Sequence, residues 1–242
     1  MYWRPTSSNG TETAIPILAL LAFSLVLALI YAPQFWIRHT LRKHSADRPD
    51  FRGTGGEMAQ HLVERFELDG VQVEATDAGD HYDPVSRTVR LSEANFKGSS
   101  LTAVAVAAHE VGHALQHHRG ERGLALRQSL VKIAMVTDRI ASIFFIAAPV
   151  LALALRTPAA LLGMAIIGIG LLGIRVVVHL VTLPVEYDAS FNKALPILRE
   201  GGYLDDRDLA GARSVLKAAA LTYVAGALMS LLDLVRWFRI LR

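Results

Sequence analysis

Leu101-Thr-Ala-Val-Ala-Val-Ala-Ala-His109-Glu110-Val111-Gly112-His113-Ala-Leu-Gln116 is the stretch on which the reading of this chain turns. Small and apolar residues run unbroken from Leu101 to Ala108. Gly98, Ser99 and Ser100 stand ahead of them to cap a start, while His117, His118, Arg119 and Gly120 follow as a cationic last turn and a glycine stop. A helix is therefore predicted over 100–118. On it His109 and His113, four residues apart, project from one face, close enough to bind one metal through their imidazoles. Glu110 sits between them, able to reach a water held by that metal and take its proton. A purely structural metal site has no use for such a base.

Composition sets the setting for this helix. Of 242 residues, 52% are hydrophobic and only 19% charged, and the mean hydropathy is +0.34. Those values predict several membrane segments beside a smaller polar part. The net charge of +3 is spread along the chain and no nucleic-acid-binding motif is present, which argues against nucleic acid as a partner. With no cysteine, disulfides and thiolate metal sites are excluded, and any metal must use His and carboxylates.

Residues 14–37 are uncharged and long enough to span a bilayer, with Tyr31, Phe35 and Trp36 as an interfacial aromatic anchor. A cleaved signal peptide fits poorly, because the apolar run is too long and only Arg4 precedes it. Arg38, Arg42, Lys43 and Arg48 follow, so by the positive-inside rule this flank is cytoplasmic. Residues 38–132 read as a folded polar unit. In it, Thr54-Gly-Gly-Glu57 forms a capping box before an apolar stripe of Met58, Leu62, Val63 and Phe66. Val71–Glu74 and Arg87–Leu91 alternate like short strands on either side of a turn-rich Gly79–Pro84. Two further apolar runs, Ile140–Leu155 and Ala159–Ile174, predict a transmembrane hairpin over 133–184 with its tip outside. Residues 185–217 are polar again. The last segment, 218–242, holds a weaker apolar stretch that reads equally as a fourth span, a partly inserted helix or a surface helix.

A catalytic zinc takes three protein ligands and keeps one position for water. His117 lies on the same face as His109 and His113, but eight residues of helix separate it from His109 by roughly 12 Å, too far for one ion. Glu186, in Leu183-Pro-Val-Glu-Tyr-Asp-Ala-Ser190, lies where the chain returns from the hairpin to the zinc side. It reads either as the third ligand or as an ordinary first-turn acid favoured by the helix dipole. Asp188 is then placed to accept from the free ring nitrogen of a ligand histidine. Asp80-His81-Asp83 is a competing ligand cluster, or simply a turn joining two strands.

These blocks resemble the YugP-type membrane zinc metallopeptidases and, distantly, the Ste24/HtpX membrane proteases. The likeness extends over most of the chain, through Thr54–Glu57, Asp80–Pro84, Val89–Ser92, Ala105–Gln116, Leu183–Ser190 and Ala220–Ala225. It implies that His109, His113 and Glu186 bind one Zn2+ and that Glu110 is the general base. The related membrane proteases carry Glu-x-x-Ala-Asp after the zinc helix. Here the run is Glu186-Tyr-Asp-Ala-Ser190, so Ser190 replaces the terminal acid, and Asp188 is expected to take over its supporting role.

The donor for the tetrahedral oxyanion is expected from Tyr223, with His179 or Tyr187 behind it; interfacial packing is the alternative for Tyr223. The strand around Val89–Leu91 is expected to offer an edge to an extended peptide, in which case Val89→Pro abolishes cleavage. Together these readings predict a mainly α, polytopic membrane protein with 3–4 transmembrane helices and a cytoplasmic zincin-like α+β metalloprotease unit. Its expected activity is a membrane-bound endopeptidase, multi-pass in the cell (inner) membrane, acting on proteins or peptides, membrane proteins among them, from the cytoplasmic face. A structural zinc or pseudoenzyme scaffold and a divalent-metal transporter are the competing classes.

Overall fold

The computed structural model describes residues 9–155 and 157–240, including side chains mainly between Ser24 and Leu232. The chain is mainly helical, with one small sheet. Helix α1, Asn9–Lys43, covers the predicted anchor at 14–37. Helix α2, Gly55–Arg65, starts on the predicted capping box. The Thr54 side chain accepts from the Glu57 amide at 3.2 Å, and Glu57 Oε2 accepts from the Thr54 amide at 2.8 Å. Its first residue must be glycine: a Cβ on Gly55 would stand 2.3 Å from the Asn95 carbonyl oxygen.

Strands β1 (Gln72–Thr76), β2 (His81–Asp83) and β3 (Thr88–Ser92) form one sheet in the order β1-β3-β2. β1 runs parallel to β3, and β2 pairs antiparallel to it with Tyr82 opposite Val89. This corrects the sequence expectation at Val89–Leu91, which is the central strand and not an edge. Val89 and Leu91 are fully buried. A proline at Val89 would therefore break the sheet itself and says nothing about substrate docking. β2 lies in the segment read as a turn. Its glycine, aspartates and proline hide a strand that the Asp83–Arg90 ion pair, 2.8 Å, ties to β3. Arg90 holds the Asp83 carboxyl well below the usual carboxylate range, against a smaller opposing effect of burial.

A short helix, α3 (Glu93–Lys97), leads to α4, Leu101–His118. Ser100 caps α4 by accepting from the Ala103 amide at 3.1 Å, and Gly120 ends it at φ +62°, as read from sequence. Every residue from Leu101 to Gln116 is buried. A helix enclosed on all sides must be apolar all round, and its small side chains let neighbours approach closely. This is why Ala and Val dominate the lead-in to the motif. The main core forms around it, from α2, the sheet, α7 and the first half of α8.

Helix α5 spans Arg122–Leu155 and α6 spans Pro158–Tyr187, the latter started by Thr157, whose hydroxyl accepts from the Ala160 amide. These two helices fall where the hairpin over 133–184 is expected, but the first begins at Arg122, inside the stretch assigned to the polar unit. α6 continues into a π-helical segment, Asp188–Ala194, and α7, Leu195–Glu200. α8 runs from Asp206 to Ile240, so the apolar stretch after 217 is the second half of a longer helix. Among the described residues three helices are long and apolar enough to cross a membrane: Arg122–Leu155, the continuous Pro158–Glu200, and Asp206–Leu232. Ile143, Ile146, Val150, Leu162 and Ile166 are exposed along α5 and α6, as lipid-facing side chains would be.

Candidate metal centre

His109 and His113 leave α4 on one face, their rings packed edge to face with centroids 4.7 Å apart. Glu186 reaches them from the last turn of α6. Its Oε2 lies 3.2 Å from His109 Nε2 and 3.4 Å from His113 Nε2. A tetrahedral ion with bonds near 2.0–2.1 Å has ligand–ligand edges of about 3.3 Å, so this triangle has the size that zinc requires. The three residues form the one group of potential metal ligands found among the described residues, all three buried. Asp80, His81 and Asp83 do not assemble as a rival. Asp80 accepts from the Ser92 amide and hydroxyl and from Asn95, His81 Nδ1 faces the Gly79 carbonyl, and Asp83 holds Arg90.

What lies behind the rings decides which nitrogen faces inward. The Ser190 hydroxyl donates to the Leu216 carbonyl at 3.3 Å, leaving its lone pairs to accept from His109 Nδ1 at 3.1 Å. Gln116 Nε2 donates to the Val185 carbonyl at 3.0 Å and to Asp188 Oδ2 at 2.8 Å. Its Oε1 is thereby turned to accept from His113 Nδ1 at 2.8 Å. Both imidazoles so carry their proton on Nδ1 and present an unprotonated Nε2, the form a metal binds. The chemistry of this donor set fits zinc. Asp188 does not touch a ligand histidine, contrary to expectation. It acts through Gln116, and Ser190 itself takes the position behind His109 expected of an acid. Asp188 is held in turn by Lys193, a buried ammonium that also pairs with Glu121 at 3.0 Å.

Gly112 of the motif is another glycine that geometry demands. A Cβ there would lie 2.9 Å from the Ala189 carbonyl oxygen. The π-helical segment thus packs directly on the zinc-motif helix, which brings Ser190 behind His109. Pro184, one turn before, has no N–H to give the carbonyl four residues back. Together with the wider π turn it loosens the regular ladder at the metal-facing end of α6.

Glu110 is buried beside the triad, and burial, with the nearby Glu186 charge adding and His109 opposing, pushes its carboxyl up to about 7. Tyr223, on α8, accepts a hydrogen bond of 2.7 Å from Arg127 Nη2. The same nitrogen is 3.1 Å from Glu186 Oε1. His179, one of the two further candidates for the donor, stands edge-on to the Tyr223 ring, centroids 6.0 Å apart. Tyr187, the other, is exposed and stacks on Phe191. His117 is no ligand: its Nδ1 meets the Tyr82 hydroxyl at 2.8 Å. Burial pushes that hydroxyl up to about 12, so it remains a donor and ties the sheet to α4.

Sequence reasoning passed over Arg127, Gln116 and Lys193. The signal for Arg127 was available: it is a cation inside Leu124-Ala-Leu-Arg-Gln-Ser-Leu130, one turn after the buried Leu124.

Over residues 19–242 the chain matches the family described as "Putative neutral zinc metallopeptidase", and it belongs to that family. A relative from Bacillus subtilis (strain 168), described as "Putative membrane protease YugP", is 37% identical over 218 residues, which make up 88% of this chain and 92% of that protein. No solved structure matches the chain.

Proposed function

We propose that this protein is a zinc-dependent membrane-bound endopeptidase whose site faces the cytoplasm from the cell (inner) membrane. The observation that carries the reading is the buried triangle of His109 Nε2, His113 Nε2 and Glu186 Oε2, with Glu110 adjoining it. His109, His113 and Glu186 hold the ion, and Ser190 and Gln116 keep the two rings in the binding tautomer. Zinc, when bound, supplies the Lewis acidity that polarises the scissile carbonyl and acidifies the attacking water. Glu110 removes the water proton and delivers it to the leaving amine. Tyr223 donates to the oxygen that gains charge as the carbonyl becomes tetrahedral.

Residues 38–132 and the α6–α8 segments together make the zincin-like unit, and the basic flank after α1 supports its cytoplasmic placement. Proteins or peptides are the substrates, membrane proteins among them. Zinc content and casein cleavage in mild detergent, for wild type and Glu110→Gln, test the reading. Both forms are expected to hold about one zinc while only the wild type cleaves. Zinc in both with cleavage by neither would favour a structural metal.

A further inference from the structure

Four buried side-chain atoms among the described residues have no hydrogen-bond partner: Arg127 Nε, Asp138 Oδ1, His179 Nδ1 and Glu186 Oε1. One of them, Glu186 Oε1, faces the same guanidinium whose Nε is another: Arg127 Nη2 approaches it at 3.1 Å without hydrogen-bond alignment. Arg127 side-chain exposure is 20% and that of Glu186 is 3%. A guanidinium so placed needs a reason, since burying a charge is costly unless it is matched.

Glu186 has two oxygens with different neighbours. Oε2 faces the imidazole nitrogens and Oε1 faces Arg127. Among the described residues Arg127 is the only Lys or Arg within ion-pair distance of Glu186. The nitrogen that faces Oε1 also donates to Tyr223. A phenol has one proton and two lone pairs. Once its oxygen accepts from Arg127, its own proton is free to be donated elsewhere.

We propose that Arg127 is a positioning residue of the site: it is the counter-ion of Glu186, and it turns the Tyr223 hydroxyl so that its proton points to the developing oxyanion. The second part rests on the peptidase reading; the first does not. Lysine could supply the charge, but its freely rotating ammonium lacks the fixed, in-plane N–H directions with which Nη2 stands between the carboxylate and the phenol.

The full chain in mild detergent is compared as wild type, Arg127→Gln, Arg127→Lys, Tyr223→Phe and the Arg127→Gln/Tyr223→Phe double variant. Thermal unfolding is followed after chelation and after zinc loading, and casein cleavage gives kcat and KM. Once zinc is bound it supplies positive charge to Glu186. Arg127→Gln is therefore expected to lower the Tm of the zinc-free protein more than that of the loaded one, so that zinc raises its Tm by more than it raises that of wild type. Arg127→Lys keeps the wild-type zinc response. A clamp that merely joins α5 to α6 and α8 would lower both Tm values alike, and that result overturns the counter-ion role. For the loaded enzyme, Arg127→Gln, Arg127→Lys and Tyr223→Phe are each expected to lose about 10²-fold in kcat with little change in KM. The double variant is expected to be no worse than Tyr223→Phe, because Arg127 acts through that residue. Multiplying losses, or wild-type kcat in Arg127→Gln, overturn the orienting role. A wild type that binds zinc and cleaves nothing overturns the peptidase reading and with it the orienting role. The counter-ion result is read from Tm in either case.

Discussion

Replacing Ser190 with alanine removes a single oxygen at a fully buried position. The Leu216 carbonyl loses only a long contact of 3.3 Å, whereas His109 Nδ1 loses the acceptor seen at 3.1 Å. No water can take that place without displacing packed atoms, so the ring either keeps an unpaired N–H or swings to find another acceptor. A buried donor left unpaired costs about 1–3 kcal/mol, and supports of this kind are worth about 10–100-fold in metal affinity. The two ranges agree, since 1.4 kcal/mol is tenfold. Zinc affinity of Ser190→Ala, measured by competition with a chromophoric chelator in detergent, is therefore expected to fall 10–100-fold. The zinc-free Tm should fall less than that of the loaded protein, because without zinc the ring can carry its proton on Nε2, 3.2 Å from Glu186 Oε2. Affinity within about twofold of wild type would refute the idea that Ser190 fixes the His109 tautomer.

Ser190→Asp, which restores the acid of the related proteases, is not expected to strengthen binding. Its carboxylate would face the Leu216 carbonyl, and a lower Tm checks this. Gly112→Ala sets a Cβ 2.9 Å from the Ala189 carbonyl oxygen and is expected to cost about 1–3 kcal/mol by overpacking; chemical denaturation reads it. Lys193→Met leaves Glu121 and Asp188 facing each other without their cation. Those carboxylates are about one-third exposed, so the cost should fall to about 1–2 kcal/mol, below the 3–5 of a fully buried pair. Zinc affinity should drop with it, because Asp188 anchors Gln116 behind His113.

The zinc-motif helix was legible because its signals are local: a serine cap, a glycine stop and two histidines one turn apart. The capping box of α2 was legible for the same reason. Glu186 could be proposed from where the apolar run ends, but its meeting with α4 depends on Gly112 admitting the π-helical segment. Strand β2 was missed because His81-Tyr82-Asp83 becomes a strand only through pairing with Arg90-Val89-Thr88. That missing strand also made β3 look like an edge. Ser190 read as a lost acid because only three-dimensional packing shows it behind His109. Arg127 carried a local signal, a cation within an apolar helical run, but nothing local pairs it with Glu186 on α6. Local chemistry announced the candidate ligands, and long-range packing chose the residues behind them.

The most direct test of the central claim is zinc stoichiometry, by elemental analysis of detergent-purified protein, for wild type, Glu110→Gln and Glu186→Ala. The account predicts about one zinc per chain in the first two and a marked loss in the third, because Glu186 is a ligand and Glu110 is not. Full, tightly held zinc in Glu186→Ala would contradict it, and the metal would then have to be sought on other residues.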